Sequence, residues 1–164
     1  MLKYWDDVSE IEFILDNIRD EDREELEKLY SGEWREKTLE SLKKQKFQVL
    51  YGLCGERGRC PIAMGGIYDV KCTAGKIGCV WLLSSRFTGR NKTVLMRALR
   101  SRLYADMPDY DILYNFIYKS NYEAKSWLKK LGFRFDNPNP EKIKLKDGFE
   151  FFWKQKKDRP EKSV

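Results

Sequence analysis

Apolar residues recur at helical spacing through the first third of the chain, then gather into short runs separated by turn chemistry. Ile11, Ile14, Leu15 and Ile18 fall on one side of a helix, with Ser9 and Glu12 in the form of a capping box. Glu10 to Leu15 also alternates, so the pattern admits a first strand there as well. Asp20-Glu21-Asp22 places acid where the helix dipole favours it, opening a second helix with the stripe Leu26, Leu29 and Tyr30. Ser31-Gly32 breaks the chain, and residues 33–46 read as a third helix with Trp34, Thr38 and Leu42 on one side.

Residues 47–54, 61–70 and 76–83 are strand-like, and the turns at 55–59 and 73–75 are short enough for an antiparallel meander. Residues 91–105 predict a helix with Leu95, Leu99 and Leu103 spaced by four, ended near Pro108. Residues 111–118 are a strand rich in aromatic and branched side chains. Ser120 to Glu123 has the capping-box form, Ala124, Trp127, Leu128 and Leu131 make the next stripe, and Gly132 supplies a left-handed cap. Phe133 and Phe135 predict another strand, broken by Asn137-Pro138-Asn139-Pro140. Ile143 and Leu145, then Asp147-Gly148, then Phe149, Phe151 and Trp153 predict a closing hairpin. The expectation is a single α/β domain over residues 1–153, followed by a polar basic tail at 154–164.

Composition narrows the class. Hydrophobic residues at 41% and aromatics at 14% are too many for a disordered chain. No apolar run approaches the roughly 18 residues of a membrane span. Asp6 and Asp7 stand where a signal peptide would carry a basic head and an apolar stretch. A soluble protein of the cytoplasm, with no membrane partner, is expected. Cys54, Cys60, Cys72 and Cys79 form no CxxC pair, and the chain has no histidine, so no metal site is expected and the thiols are read as reduced. The missing histidine excludes Ser-His and Cys-His catalysis. A general base would be a carboxylate, a tyrosine, an amine or a water.

Charge adds a location. The net charge is +6, yet residues 1–40 hold 14 acids against 6 bases. Between Arg86 and Arg102 stand Arg86, Arg90, Lys92, Arg97, Arg100 and Arg102 without one acid. Such a stretch attracts the phosphates of a nucleotide cofactor or a nucleic acid, or is simply a solvated helix face. A strand (Gly78 to Leu83), a short loop (Ser84 to Arg90) and a helix opened by Asn91-Lys92-Thr93 is a recipe for phosphate, because loop and helix N-terminus both present N–H groups. No nucleic-acid motif accompanies the charge, which makes nucleic acid the weakest of the partners.

The run from Ile117 to Phe133, with Asn121, Ala124, Gly132 and Phe133 at matching relative positions, resembles the strand, helix and Gly-Phe ending of the GNAT acetyltransferase superfamily. Arg86, Gly89 and Asn91 resemble its Gln/Arg-x-x-Gly-x-Gly/Ala phosphate loop, with asparagine in place of the last small residue. The resemblance implies an α/β GNAT fold: a mixed, mostly antiparallel central sheet of about six or seven strands flanked by helices, splayed between the fourth and fifth strands. It implies acetyl-CoA or CoA as substrate-cofactor and an N-acyl transfer to an amine acceptor, small molecule or protein. Val80 and Leu82 would offer backbone to pantetheine, Arg86, Thr88, Gly89, Arg90, Asn91 and Lys92 would hold the pyrophosphate, and Asn121 would face the cofactor arm. The family's thiolate-protonating tyrosine is replaced by Leu128. Tyr114, Tyr118 and Tyr122 are the substitutes at hand, and Asp69 or Asp111 a distant base acting through water. The strings Val80 to Leu83, Leu113 to Ile117, Asn121, Trp127-Leu128 and Leu131 to Phe135 are similar to acetyltransferase-like proteins of tailed bacteriophages. That narrower resemblance implies a bacterial or phage-infected host cell, or the virion itself, with phage structural proteins as partners and catalysis dispensable.

Overall fold

In the computed structural model, which describes residues 3–4, 8–73 and 75–156, the first segment is helical. Helix α1 (Val8–Asp16) buries Ile11, Ile14 and Leu15, the face marked by their spacing, and no strand forms there. It starts one residue before Ser9, so Ser9 lies inside the helix instead of capping it. Helices α2 (Asp20–Tyr30) and α3 (Trp34–Leu42) follow. Ser31 and Gly32 take left-handed backbone, φ 53° and 111°, and end α2 where the sequence marks a break.

The remaining elements are the strands β1 (Lys3–Tyr4), β2 (Gln48–Leu53), β3 (Arg59–Val70), β4 (Ile77–Ser84), β5 (Ile112–Tyr118) and β6 (Phe149–Gln155), with helices α4 (Lys92–Asp106) and α5 (Tyr122–Lys130). Hydrogen bonding orders the strands β1 to β6 in sequence. Five of them, β2 to β6, make a mixed sheet, and β1 adds a two-residue pair to β2. The pairs β2–β3 and β5–β6 are antiparallel, whereas β4 and β5 run parallel. Parallel neighbours need a crossover, and α4 supplies it. Asp6 and Asp7, residue 74 of the expected turn and residues 157–164 of the expected tail lie outside the described residues.

The chain divides into two compact units. The first is Met1–Tyr68 with Trp81–Leu99. Its core joins Ile11, Ile14, Leu15, Ile18, Leu26 and Leu42 of the helical segment to Phe47, just before β2, and to Val49, Met64 and Leu83 of the strands. Each such side chain contributes about 1.5–3 kcal/mol when fully buried. Cys54 and Cys60 flank the turn between β2 and β3, and they form a disulfide across a Cα separation of 5.9 Å. This corrects the expectation of four reduced thiols. The physical reason is the tightness of the turn: Cys54 N–H donates to Gly58 O at 2.8 Å, with Gly55 and Gly58 both at positive φ. Cys72 and Cys79 are in no disulfide, and are exposed and buried respectively.

The second unit is Asp69–Val80 with Arg100–Val164. Strands β5 and β6 pair without interruption from Ile112↔Gln155 to Tyr118↔Phe149. One face stacks Tyr114, Phe116 and Tyr118 on Phe149 and Phe151, with ring centroids 5.4–6.2 Å apart. The opposite face carries α5, through Lys154 Nζ donating to Leu131 O at 3.1 Å and an ion pair between Lys125 and Glu150. Lys154 is therefore a buried helix-capping residue of β6, and residues 154 and 155 of the expected tail belong to the strand. Gly132, φ 83°, closes α5 in a Schellman turn, with Phe133 N–H on Leu128 O and Gly132 N–H on Lys129 O.

Three further expectations change. Asn121, not Ser120, caps α5, its Oδ1 accepting from Ala124 N–H. Phe133 and Phe135 pack on Phe152 but start no strand; only the bridge Arg134↔Trp153 forms. The closing hairpin is absent, because Asn137 and Asn139 bond the backbone of Ile143 and Lys142 locally, and prolines at 138 and 140 carry no N–H for a ladder.

Asp22 shows how the first unit is fastened. Its carboxylate, 6% exposed, accepts from Arg19 Nη2 at 2.6 Å and from Ser84 N–H at 2.9 Å. Arg19 N–H in turn donates to Ser84 O at 2.9 Å. Asp22→Ala takes from buried Arg19 its nearer carboxylate, leaving Glu21 at 3.6 Å, and takes from a buried N–H its acceptor, and should cost about 3–5 kcal/mol in chemical denaturation. A loss below about 1 kcal/mol, the scale of a surface pair, would contradict this.

Candidate functional site

The segment after β4 is not an open loop. Arg86–Asn91 forms a 3-10 turn that runs directly into α4. Ser85 caps the turn, its Oγ accepting from Phe87 N–H at 3.4 Å. Three anchors fix it from inside the first unit. Arg86 N–H donates to Asn17 O at 2.8 Å, beside the bridge Ile18↔Ser85. Ile62 O accepts from Ser85 N–H at 2.8 Å and from Thr88 Oγ1 at 2.9 Å. Asn91 bonds both backbone groups of Leu53: Oδ1 accepts its N–H at 3.0 Å, and Nδ2 donates to its carbonyl at 2.9 Å and to Phe87 O at 2.9 Å. Gly52 permits this approach, since a Cβ there would lie 2.6 Å from Asn91 Oδ1.

These anchors sort the sequence-named residues by direction. Thr88 and Asn91 are buried, and their side chains are committed to the protein. Arg86, Gly89, Arg90 and Lys92 are exposed along the same turn. Nothing lies within 4 Å of where a Gly89 Cβ would stand, so a ligand could approach the backbone closely. Arg86 leans on the Phe87 ring at 5.2 Å. Further along α4, Arg102 pairs with Asp106 at 2.5 Å.

Leu82 is half-buried in β4 within the first unit. The other named residues belong to the second unit. Val80 O accepts from Asn115 Nδ2 at 2.6 Å, so that carbonyl is taken. Tyr114 is registered opposite Cys79, the last of three β4–β5 pairs. Burial first, then the neighbouring Cys79 and Cys72, raises the Tyr114 phenol pKa above its ordinary value. It stays protonated at neutral pH, a hydrogen-bond donor. Tyr118 covers Gly148, where a Cβ would meet its ring at 2.5 Å, and Tyr122 is 75% exposed. Asn121 is buried as the cap of α5, and Leu128 is half-buried on that helix.

Both distant carboxylates are engaged. Asp69 accepts from Tyr110, whose pKa is pushed up to about 12 by burial and that bond, and Asp111 accepts from Lys76 N–H. Among the described residues no cluster of three or more Cys, Asp or Glu is placed to hold a metal ion. Nor is any described helix long and apolar enough to cross a membrane. Sequence reasoning missed Gly52, Asp22 and Asn115. The last had a signal: it is the one strongly polar side chain in β5.

No protein-family model matches the sequence, and a search of the curated proteins finds no match. Solved structures do match. The aminoglycoside N(6′)-acetyltransferase of Legionella pneumophila superposes with a TM-score of 0.69 at 16% identity, over 96% of this chain and 92% of that one. The GNAT domain of S. lividans PAT gives 0.65 at 11% identity, over 94% and 89%. The spermidine N-acetyltransferase SpeG chimera from Vibrio cholerae and hSSAT gives 0.58 at 11%, over 96% and 95%. The chain therefore has the GNAT acetyltransferase fold.

Proposed function

We propose that the protein binds acyl-CoA and transfers the acyl group to an amine. The observation that carries this is the Ser84–Lys92 segment, locked by its inward side chains while Arg86, Gly89, Arg90 and Lys92 face outward at the start of a 15-residue helix. Phosphate is the natural ligand of such a helix start. The fold supports acetyl-CoA as its source. A sheet splayed between the fourth and fifth strands, with pantetheine bonding β4 backbone, belongs to the same reading. With the Val80 carbonyl taken and Val80 N–H on the β5 side of the last pair Cys79↔Tyr114, the backbone of Leu82 is the group offered to the arm.

In the reaction, an unprotonated amine attacks the thioester carbonyl, the nitrogen releases a proton to water, the C–S bond breaks, and the thiolate takes a proton. Tyr114 is the strongest of the three candidate donors, because it stands beside the end of the β4–β5 pairing and keeps its proton. Leu128 leaves nothing to donate at the family's usual place. A second reading follows from Leu128 and the phage resemblance: a virion or assembly protein that keeps CoA binding without turnover.

Calorimetry with acetyl-CoA tests the first step. Gly89→Glu meets no steric barrier, so it should leave the fold intact and weaken binding by charge; unchanged affinity removes the turn from the site. Arg90→Glu should cost on the order of tenfold or more in affinity, since a charge-assisted hydrogen bond contributes about 1.5–3 kcal/mol. Arg100→Glu, more than two turns into α4, should cost less. Equal losses would mean a diffuse field instead of a phosphate site.

Turnover tests the second step. Tyr114→Phe should lower kcat by roughly 10²–10⁴-fold if the phenol is the acid, with acetyl-CoA affinity held. Tyr122→Phe should change nothing. A wild-type rate insensitive to Tyr114→Phe excludes that acid, and binding without turnover over a broad amine panel favours the second reading.

A further inference from the structure

We propose that Asn115 is a positioning residue whose side-chain amide is wedged into the β4–β5 ladder and ends it at Cys79↔Tyr114. The purpose given to it rests on the acyl-CoA reading; its geometry does not.

In a parallel ladder, the carbonyl of one partner accepts from the residue after the other partner. Lys76 and Val80 both turn their carbonyls toward β5: Lys76 O, just ahead of the regular pairing, accepts from Asp111 N–H at 2.8 Å, and Val80 O accepts from Asn115. The register Ile77↔Ile112, Gly78↔Leu113, Cys79↔Tyr114 makes Asn115 the next partner of Val80. A regular rung would then run from Phe116 N–H to Val80 O. Instead, Phe116 N–H donates to Asn115 Oδ1 at 2.7 Å, and Asn115 Nδ2 donates to Val80 O at 2.6 Å. One amide stands inside one rung. Donor and acceptor, about 2.9 Å apart in a direct bond, are held apart by two hydrogen bonds and the width of a carboxamide.

The substitution loses no backbone bond. Both Val80 O and Phe116 N–H stay satisfied, so the strands are parted without the cost of a buried orphan. The disturbance is also one-sided. On its other edge β5 pairs with β6 past this point, through Asn115↔Phe152 to Tyr118↔Phe149. Leu113 and Ile117, two residues to either side, are buried apolar residues, and an aliphatic residue between them would suit the same face. An amide there does what an aliphatic side chain cannot. On the proposed function, a cofactor arm that bonds β4 backbone needs a ladder that stops, and Asn115 stops it at Val80.

Cross-hydrogen-bond scalar couplings in the deuterated, isotope-labelled protein test this directly. The wild type should couple the Val80 carbonyl carbon to Asn115 Nδ2 and not to the Phe116 amide nitrogen. A Val80–Phe116 coupling in the wild type overturns the wedge. In Asn115→Ala, the Val80–Phe116 coupling should appear, as the ladder closes by one rung. Acetyl-CoA affinity should fall about five- to tenfold, the equivalent of one net hydrogen bond. A closed rung with unchanged affinity overturns the positioning role. If the alanine variant does not fold, the wild-type couplings still decide the wedge. Should the wild type bind no acetyl-CoA, the acyl-CoA reading fails, while the couplings judge Asn115 separately.

Discussion

The side-chain amide of Asn91 sits at the end of β2 as a further strand would, accepting one backbone bond of Leu53 and donating the other. The arrangement of the candidate site depends on that exchange. A buried amide with both ends satisfied is held far more firmly than one facing water, because leaving either end unpaired carries a desolvation penalty. With Asn91 and Thr88 turned inward, the short 3-10 turn has only one face left, and its arginines, Gly89 and Lys92 lie on that face. Asn91 stands where the phosphate loop that this segment resembles has a small residue, and the structure accommodates its bulk at the missing Cβ of Gly52. The departure is an anchor.

Asn115 uses the same chemistry for the opposite end. At Leu53 an amide side chain completes a strand's hydrogen bonding, whereas at Val80 it interrupts one. Both rely on the carboxamide carrying a donor and an acceptor at fixed separation, which no carboxylate or hydroxyl reproduces. Polar groups that look out of place in strands and turns are thus the ones that shape the backbone around the proposed ligand.

Much of the fold was legible because periodicity reports burial. Ile11, Ile14 and Leu15, the Ser31-Gly32 break, β5 and the Gly132 cap all follow from local rules that the packing reinforces. What was not legible depends on partners distant in sequence. Asp22 reads as helix-dipole acid, yet its carboxylate is buried on Ser84, 62 residues away. Lys154 reads as a basic tail, yet it caps a helix. The hairpin expected after Pro140 fails because Asn137 and Asn139 satisfy the backbone locally, which alternation alone cannot register. The disulfide was missed for a similar reason, since spacing gives no Cα distance. Among the site residues, the sequence named the segment from Arg86 to Lys92, but direction within it came only from the hydrogen bonds.

Phosphate binding by the outward face of this turn is the step on which the proposed function rests. Amide chemical shifts recorded on titration with CoA measure it residue by residue. The account predicts the largest changes at Gly89, Arg90, Asn91 and Lys92, saturating together with one affinity. Changes absent from that segment, or appearing evenly across the basic helix through Arg100, would contradict it.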